Sequence, residues 1–345
     1  MEYLDNMNFE MLENTLIKEG FQKFRAKQVF EFLHVHNVKY FNEISVLSKD
    51  ARAKLNDRYK ITNLNILKVF KSKDGVTKKY LIELFDEEVV EAVFMQYDER
   101  VSICISSQVG CNMGCVFCAS TKGGKARNLM ASEMLKQIYM IEEDNGKRID
   151  NIVVMGQGEP LDNFSNLVKF LEIIGDERGR NKSYRKITVS TCGLPDKIRE
   201  LATDYEFPIT LALSLHRTTD EERCKIMPIN KVYNLESVMS ALEYYYKKTN
   251  RRITFEYMVI GGENDTKDDA HRLKNMAKRI GAHVNIMELN PIDEYSNKGI
   301  ENRAKEFTNY LNEIGVNATL RKSKGLDIEG ACGQLRRKYK EGMCE

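Results

Sequence analysis

Residues 101–118 read Val-Ser-Ile-Cys-Ile-Ser-Ser-Gln-Val-Gly-Cys-Asn-Met-Gly-Cys-Val-Phe-Cys. Val101–Ser106 is the first strand in a long alternation of predicted strands and helices. Cys111, Cys115 and Cys118 follow it with the spacing Cys-x3-Cys-x2-Cys. Three thiolates on a four-iron cluster leave one iron open, and an open metal position can bind and activate a small molecule. The stretch therefore predicts a strand followed by a loop that holds an iron–sulfur cluster.

Two other interpretations of these cysteines are weaker. A structural zinc site closes with four ligands, usually as two Cys-x2-Cys-like pairs, but no second pair follows and no nearby histidine completes the set. A disulfide framework is typical of small secreted domains. This chain has 8 cysteines in 345 residues and shows no secretory signal. The open iron–sulfur site remains the favoured interpretation.

The cysteine spacing resembles that of the radical S-adenosylmethionine (radical SAM) superfamily. The resemblance implies one [4Fe-4S] cluster per chain, with Cys111, Cys115 and Cys118 as its ligands. It further implies that the open iron binds the amino and carboxylate groups of S-adenosylmethionine. An electron from the cluster then cleaves the sulfonium to give a 5′-deoxyadenosyl radical.

The composition is that of an ordinary globular protein, with 42% hydrophobic and 30% charged residues. No run of about 18 apolar residues predicts a membrane span, and the first residues lack the basic and apolar regions of a secretory signal. We therefore expect a cytoplasmic protein with no membrane association. The formal net charge is only +2, so a nucleic-acid partner would have to be bound by local basic patches.

From residue 101 onward, strands and helices alternate, which favours a parallel α/β architecture. The predicted strands are Val101–Ser106, Ile152–Met155, Ile187–Thr191, Ile209–Ser214, Ile253–Val259 and Val284–Glu288. The predicted helices include Ala131–Glu143, Asn166–Ile174, Leu235–Lys248 and Lys267–Ile280. Six such units predict a partial (β/α)6 barrel, with a further strand near Val316–Arg321. In α/β barrels the active site lies at the carboxyl ends of the strands, where the cysteine loop falls.

Three regions are predicted in all. Residues 1–62 form a small helical domain, residues 63–97 a short antiparallel β-meander, and residues 98–345 the barrel with a carboxyl-terminal extension. In the meander, Asp74-Gly75 separates two apolar runs and indicates a hairpin turn.

The helical domain has a predicted basic edge at Lys23, Arg25 and Lys27. Such an edge could hold RNA backbone, and a solvated helix face explains it equally well. His34 and His36 are interpreted as structural or surface histidines rather than metal ligands.

Small polar groups and glycines follow several predicted strands. Gly158 allows a ligand to approach the backbone closely, and Glu159 offers a carboxylate suited to an ammonium group. At the ends of later strands we expect further contacts to S-adenosylmethionine from Ser190, Ser214, Leu215, His216 and Asn290.

The order of motifs extends the resemblance to nearly the whole chain. It resembles the RlmN/Cfr family of radical SAM RNA adenine methyltransferases. The matching motifs are Cys104 seven residues before Cys111, Arg127-Asn-Leu, Gly158-Glu-Pro-Leu, Ser214-Leu-His, Met227-Pro-Ile-Asn, Leu289-Asn-Pro and Ala331-Cys-Gly-Gln-Leu. Gln157 departs from the pattern, because the family motif has methionine there.

The resemblance implies roles for three further residues. Cys332 would receive a methyl group from a first S-adenosylmethionine, and the radical made from a second would abstract hydrogen from that S-methyl group. The carbon radical would then add to adenine, so that two S-adenosylmethionine molecules are used per turnover. Glu91 would accept the ring proton, and Cys104 would release the product by forming a transient disulfide with Cys332. From sequence alone, an acidic residue in a strand such as Glu91 is usually on the solvent face.

The implied reaction is methylation of carbon 2 of adenine 2503 in 23S rRNA and of adenine 37 in some tRNAs. The alternative within the family is methylation of carbon 8 of the same rRNA adenine, which confers antibiotic resistance. From a different class, the chain could be a non-catalytic iron–sulfur protein that binds RNA or assists ribosome assembly. The expected partners are rRNA, tRNA and an electron donor such as flavodoxin, and the expected state is a monomer.

Basic clusters flank both ends of the predicted active-site sequence, and together they predict a phosphate-binding rim. They are Lys122, Lys125 and Arg127; Arg178, Arg180, Lys182, Arg185 and Lys186; Arg321, Lys322 and Lys324; and Arg336, Arg337, Lys338 and Lys340. Of the remaining cysteines, Cys192 and Cys224 are expected to be small buried residues and Cys344 to be incidental.

Overall fold

The structure is a computed structural model that describes residues 1–205, 207–289, 302–321, 324 and 326–328. Within these residues the strands are β1 (Glu2–Tyr3), β2 (Tyr59–Lys60), β3 (Asn65–Lys71), β4 (Thr77–Glu83), β5 (Val89–Gln96), β6 (Val101–Ile105), β7 (Gln108–Val109), β8 (Arg127–Asn128), β9 (Asn151–Val154), β10 (Ile187–Thr191), β11 (Thr210–Ser214), β12 (Ile253–Val259), β13 (His283–Glu288) and β14 (Ala318–Leu320). The helices are α1 (Phe9–Lys18), α2 (Phe24–His34), α3 (Lys49–Arg58), α4 (Ala131–Asn145), α5 (Phe164–Gly175), α6 (Pro195–Thr203), α7 (Asp220–Ile226), α8 (Leu235–Thr249), α9 (Lys267–Ile280) and α10 (Arg303–Glu313).

Ten strands form one sheet, in the order β14-β13-β12-β11-β10-β9-β6-β5-β4-β3. From β6 to β14 every pairing is parallel, and the strands follow one another in chain order. β3, β4 and β5 pair antiparallel and join the parallel part at β6. The partial barrel is thereby confirmed: all six predicted strands are present, and β14 adds a seventh parallel strand.

The two faces of the sheet differ in character. Ile103, Ile152, Val189, Leu211 and Phe255 are fully buried within one apolar cluster that also includes the helices. Side chains alternate across a strand, so the residues between them lie on the opposite face. This opposite, inner face carries the polar residues, because side chains two apart in a strand lie on the same face of the sheet.

Pairing registers show which polar residues share the inner face. Cys104 lies opposite Val93 on β5 and Val153 on β9, and Val93 lies opposite Lys79 on β4. Residues directly opposite in a ladder point to the same side of the sheet, and so do residues two apart in one strand. Lys79, Glu91 and Cys104 therefore share this face.

The amino-terminal helices pack directly against the barrel. On α4, Lys136 donates from Nζ to Asn37 Oδ1 at 2.7 Å, and both residues are buried. The buried carboxylate of Asp5 accepts from Thr62 N and Oγ1 at 3.1 Å. Thr62 Oγ1 also bonds to Ser132 Oγ of α4 at 2.8 Å, so this pair and Lys136–Asn37 position the helical region against α4, which begins directly after the cysteine loop and β8.

The meander forms as the turn chemistry predicts. β3 and β4 are joined across Asp74 and Gly75, and Gly75 has a φ of +70°, a conformation that favours glycine. Asp74 Oδ1 also accepts from Val76 N at 3.1 Å, which fixes the turn. No helix among the described residues is long and apolar enough to cross a bilayer.

Candidate active site

The cysteine loop leaves the carboxyl end of β6 and is closed at its base by a small ribbon. β7 pairs antiparallel with β8, and Ala126 N donates to Val109 O at 2.8 Å. Inside the loop, Thr121 Oγ1 donates to the carbonyls of Cys115 and Cys118 at 3.1 and 2.8 Å. These bonds hold the backbone around the cysteines.

The turn between Cys111 and Cys115 requires a glycine. Gly114 has a φ of +72°, and a Cβ there would lie 3.3 Å from Pro228 Cγ. Val116 N donates to Ile226 O at 3.0 Å, so the loop is bound to the segment that follows α7. The Met-Pro-Ile-Asn motif at 227–230 thus packs against the cysteine loop through Pro228.

Three thiols converge within this loop. Cys111 and Cys115 are buried, and Cys118 is partly buried. Burial raises the pKa of all three thiols, that of Cys111 to about 12, and a neighbouring thiolate raises each of Cys111 and Cys115 further. The mutual effect shows that the groups lie near one another, as ligands of one cluster must.

The thiols fit the group that the superfamily holds here. All described cysteines are free, and among the described residues no three His, Cys, Asp or Glu side chains form a metal-binding group. Three clustered thiols with no fourth protein ligand suit a multi-iron cluster with one open iron.

The arginine after the loop joins two other elements of the fold. Arg127 makes paired hydrogen bonds of 2.6–2.8 Å to Asp86, in the β4–β5 turn, and of 2.8 Å to Glu133 on α4. Its guanidinium also lies 4.7 Å from the ring centroid of Phe85. Bidentate pairs of this kind give fixed geometry, so Arg127 ties the loop to both neighbours.

Several members of the predicted basic rim are likewise engaged internally. Lys125 bonds to Asp162 at 2.6 Å, Arg178 to Asp176 at 2.6 Å and Arg180 to Glu142 at 2.6 Å. Carboxylates from the same chain thus pair with these guanidinium and ammonium groups, and the RNA-facing rim stays a prediction for them. Arg185 and Lys186 remain exposed at the surface.

Glu159 is buried in the turn after β9. Its Oε2 accepts from Cys192 N at 2.7 Å and its Oε1 from Leu161 N at 3.0 Å. Burial raises the pKa of this carboxyl group, while the backbone donors oppose that rise. Hydrogen bonds from the side chains of Thr191 and Cys192 oppose the rise as well.

Gly158, which precedes Glu159, packs closely against Gln108. Gly158 has a φ of +100°, and a Cβ at this position would lie 2.5 Å from Gln108 Cβ. Gln108 in turn accepts from Glu159 N at 2.8 Å through Oε1. The close approach that the motif predicts is therefore to Gln108 of the cysteine-loop ribbon.

The ends of β10 and β11 bring two predicted ligands together. Ser190 Oγ and Ser214 Oγ lie 3.5 Å apart, both partly exposed. Ser214 is opposite Glu256 on β12, and Glu256 Oε1 accepts from Asn285 Nδ2 at 2.9 Å. The inner face thus continues as a polar surface across four strands.

His216 adopts an unusual backbone conformation beside the loop. Its φ is +57°, its ring packs edge-on against Phe117 at 4.9 Å, and its Nδ1 accepts from Met258 N at 3.1 Å. Burial and the charges of Arg223 and Arg217 lower the pKa of the imidazole to about 3, so the ring is neutral. Left-handed backbone at a residue other than glycine is a strained feature that concentrates at functional sites.

Glu91 is buried, which makes the solvent-face interpretation of this strand residue wrong. Its side chain is 5% exposed and its Oε2 lies 3.3 Å from Nζ of Lys79, which is 1% exposed. The register explains this, since both residues point to the inner face of the sheet. Ser106 Oγ donates to Glu91 O at 2.7 Å and links this position to the start of the loop.

Sequence reasoning missed the partners of these residues. Lys79 and Arg223 are fully buried basic residues at the site, and neither belongs to a motif that the sequence singles out. The alternation Lys79-Tyr-Leu-Ile in a strand paired with Val90-Glu-Ala-Val was the available signal for Lys79. Cys192 is buried as expected, whereas Cys224 is partly exposed and differs from its prediction. His34 is buried against Phe30 and His36 is exposed, which confirms their structural and surface character.

Some predicted residues lie outside the described part of the chain. They are Asn290, Lys322, Cys332, Arg336, Arg337, Lys338, Lys340 and Cys344.

Comparisons with known proteins agree with this architecture. Residues 105–275 match the family model of the radical SAM superfamily, and residues 3–61 match that of the ribosomal RNA large subunit methyltransferase N-terminal domain. A crystal structure of a radical SAM methyltransferase from Sphaerobacter thermophilus superposes with a TM-score of 0.89 at 35% identity, covering 97% of this chain and 99% of that one. The fold and the cysteine loop thus define a radical SAM enzyme, a class that uses S-adenosylmethionine and an iron–sulfur cluster.

Similar sequences identify the family within that class. A protein named probable dual-specificity RNA methyltransferase RlmN from Lachnoclostridium phytofermentans is 48% identical over 96% of this chain and 94% of its own length. The protein of the same name from Clostridioides difficile is 47% identical over 92% of each. The chain belongs to the RlmN family of radical SAM RNA methyltransferases.

Proposed function

We propose that this enzyme methylates carbon 2 of adenine in 23S rRNA and of an adenine next to the anticodon in some tRNAs. The observation that best supports the proposal is that the side chains of Lys79, Glu91 and Cys104 lie on the same inner face of the sheet. The cysteine loop begins at the same edge of that face. A proton acceptor, a thiol and a three-thiol loop are the groups that the reaction requires in one place.

The three loop thiols are proposed to hold one [4Fe-4S] cluster. When bound, the cluster and S-adenosylmethionine supply a carbon radical able to remove hydrogen from a methyl group. Gly158, Glu159, Ser190, Ser214, Leu215 and His216 are proposed to hold S-adenosylmethionine, with Asn290 as a further ligand. The carboxylate of Glu159 suits an ammonium group, and the two serine hydroxyls suit a ribose or carboxylate.

Glu91 is proposed to accept the proton that leaves the adenine ring. A base must lie within hydrogen-bond reach of its proton and must be ionised when it acts. The ammonium of Lys79, 3.3 Å away in a buried site, stabilises the ionised carboxylate. Lys79 is thus a positioning residue for the base.

Cys104 is proposed to attack the sulfur of Cys332 and free the methylated RNA. Burial raises the pKa of Cys104 to about 11, and the charges of Lys79 and Arg321 counter part of that rise. The group is therefore a thiol near neutral pH rather than a thiolate that could bind the cluster. Its proton must leave before the attack.

An aromatic groove beside the amino-terminal helices is proposed to contact the RNA. Its cavity of about 360 Å³ is lined by Met1, Tyr3, Lys39, Tyr40, Phe41, Asn56, Tyr59, Lys60, Ile61, Asn63 and Phe85. Tyr40 is 66% exposed and Phe85 53% exposed, and no acidic residue is among those that line the groove. Aromatic side chains with adjacent lysines suit unpaired bases and their phosphates. Phe85 lies in the β4–β5 turn, at the sheet edge from which the cysteine loop leaves β6.

The test is mass analysis of rRNA and tRNA fragments after anaerobic incubation with S-adenosylmethionine and a reductant. The expected product nucleoside coelutes with authentic 2-methyladenosine. Coelution with 8-methyladenosine would support carbon 8 methylation instead, and RNA recovered unchanged would favour a non-catalytic RNA-binding protein. Flavodoxin is the proposed reductant, and a monomer is the proposed state.

A further inference from the structure

Arg223, in the last turn of α7, is completely buried and forms no ion pair with any residue that the structure describes. It is 0% exposed, and no acidic side chain of the described residues lies within salt-bridge distance of its guanidinium. The other arginine buried at this site, Arg217, bonds to Glu263 at 2.7 Å. Burying a charge without a counterion is costly, so proteins seldom do it unless an anion is bound nearby.

The guanidinium is held in one orientation by neutral acceptors. It donates from Nη2 to the carbonyls of Cys192 and Ser214 at 2.6 and 3.0 Å, from Nε to that of Leu215 at 3.2 Å, and from Nη1 to Asn230 Oδ1 at 2.7 Å. These bonds satisfy four of its five N–H donors but leave its charge in place.

Asp220 and Glu159 are each connected to Arg223 only through another residue. Asn230 Nδ2 donates to Asp220 Oδ1 at 2.8 Å, and Asp220 is exposed to solvent. Glu159 accepts from the backbone of Cys192 rather than from the arginine. Solvent screens the first carboxylate, and the second is proposed to bind the amino group of S-adenosylmethionine.

The cysteine loop lies beside this charge. Cys192, whose carbonyl accepts from Arg223, packs with Cys115, Ile226 and Met227 in a small apolar cluster that also touches Cys118. Arg223 is among the charges that lower the pKa of the Cys115 thiol, against the larger effect of burial. The surroundings are apolar, so the charge is weakly screened there.

We propose that Arg223 is the fixed countercharge of the iron–sulfur cluster and that it raises the cluster's reduction potential. Three thiolates give the cluster site net negative charge, and one-electron reduction adds to it. A buried cation therefore stabilises the reduced form more than the oxidised form, and net charge is one of the factors that set cluster potentials. This inference rests on the proposed cluster site, and it assigns a positioning role to a residue that touches no substrate.

The experiment is an anaerobic redox titration of the reconstituted protein, followed by electron paramagnetic resonance of the reduced cluster. At a fixed applied potential, Arg223→Met should lower the ratio of reduced to oxidised cluster at least tenfold, which is about 59 mV for one electron. Arg223→Lys, which keeps the positive charge, should lower the ratio of reduced to oxidised cluster by a smaller factor. Arg180→Met is the matched control, because the Arg180 side chain is only 9% exposed but is paired with Glu142 beside the amino-terminal helices. It should leave the ratio unchanged.

A second variant keeps the arginine in place if its removal prevents folding. Asn230→Asp has nearly the same shape and puts a carboxylate where the Asn230 oxygen lies 2.7 Å from Nη1. It should lower the ratio in the same direction as Arg223→Met. Wild-type ratios in Asn230→Asp and Arg223→Met at equal iron content would overturn the inference. Failure of the wild-type protein to take up iron would instead overturn the proposed cluster site.

Discussion

Gln157 is the residue at which the chain departs from its family motif, and the structure shows a consequence. The side chain is 1% exposed, and within the described part of the chain neither Oε1 nor Nε2 has a hydrogen-bond partner. Burying an unsatisfied amide costs about 1–3 kcal/mol. The position holds a polar group where the family pattern has methionine.

Replacing Gln157 with methionine should therefore stabilise the cluster-free protein by about 1 kcal/mol, since methionine fills a similar volume without polar atoms. The measurement is the free energy of unfolding in urea. The cluster-free variant is compared with the cluster-free wild-type protein, both under anaerobic conditions. A variant less stable than the wild type by a similar amount would show that the amide is satisfied in solution.

Cys104 should give the release step a distinct pH dependence. Its pKa is raised to about 11 by burial, so the thiolate fraction grows with pH throughout the neutral range. Below that pKa the fraction rises roughly tenfold per pH unit. Product release in a single turnover should accelerate between pH 7 and pH 9, measured with rapid quenching. A rate that stays constant over that range would mean that thiol deprotonation does not limit release.

At the scale of elements, much of the core could be predicted because strand period and strand order carry the information. β6 and β9–β13 were predicted near their observed bounds, and the parallel order followed from the alternation with helices. Side-chain partners could not be predicted, because they depend on register. The sequence around Glu91 does not indicate that its side chain is buried. The burial follows from the register of β4 and β5, which places Lys79 on the same face of the sheet. The internal pairing of Arg127 also depends on two separate elements, the β4–β5 turn and α4.

Two glycine positions offer a matched test of the turn after β9. Gly158→Ala should abolish activity and destabilise the protein, because φ is +100° and the new Cβ would meet Gln108 at 2.5 Å. Gly75→Ala should cost only about 1–2 kcal/mol, since its φ is +70° but nothing lies within 4 Å. Thermal unfolding and S-adenosylmethionine cleavage measure both effects. Equal, small losses in the two variants would contradict the close packing of Gly158 on Gln108.

At the scale of the whole molecule, the amino-terminal helices and the barrel are joined by buried polar contacts, including Lys136 to Asn37. The aromatic groove is formed where the helical region meets the β4–β5 turn. We therefore expect it to hold RNA in a fixed relation to the cysteine loop. No single stretch of sequence predicts this groove, because its aromatic residues are far apart in the chain.

Tyr40→Ala should weaken RNA binding by about 1–3 kcal/mol, the range for one base stacked on an aromatic ring. Tyr244→Ala is the control: Tyr244 is a partly exposed tyrosine on α8 that also lies beside a lysine, but it is not among the residues that line the groove. Fluorescence anisotropy with a labelled rRNA fragment gives the affinities. Equal affinities for the two variants would remove the groove from the RNA interface.

The most direct measurement of the methyl-carrier mechanism uses Cys104→Ala with RNA, S-adenosylmethionine and reductant. Without the attacking thiol, adenine should stay bonded to Cys332 through the transferred carbon. We expect a slowly migrating protein–RNA species that survives denaturation, shrinks with ribonuclease and is absent from the Cys104→Ala, Cys332→Ala double variant. Wild-type turnover by Cys104→Ala without such a species would contradict the account.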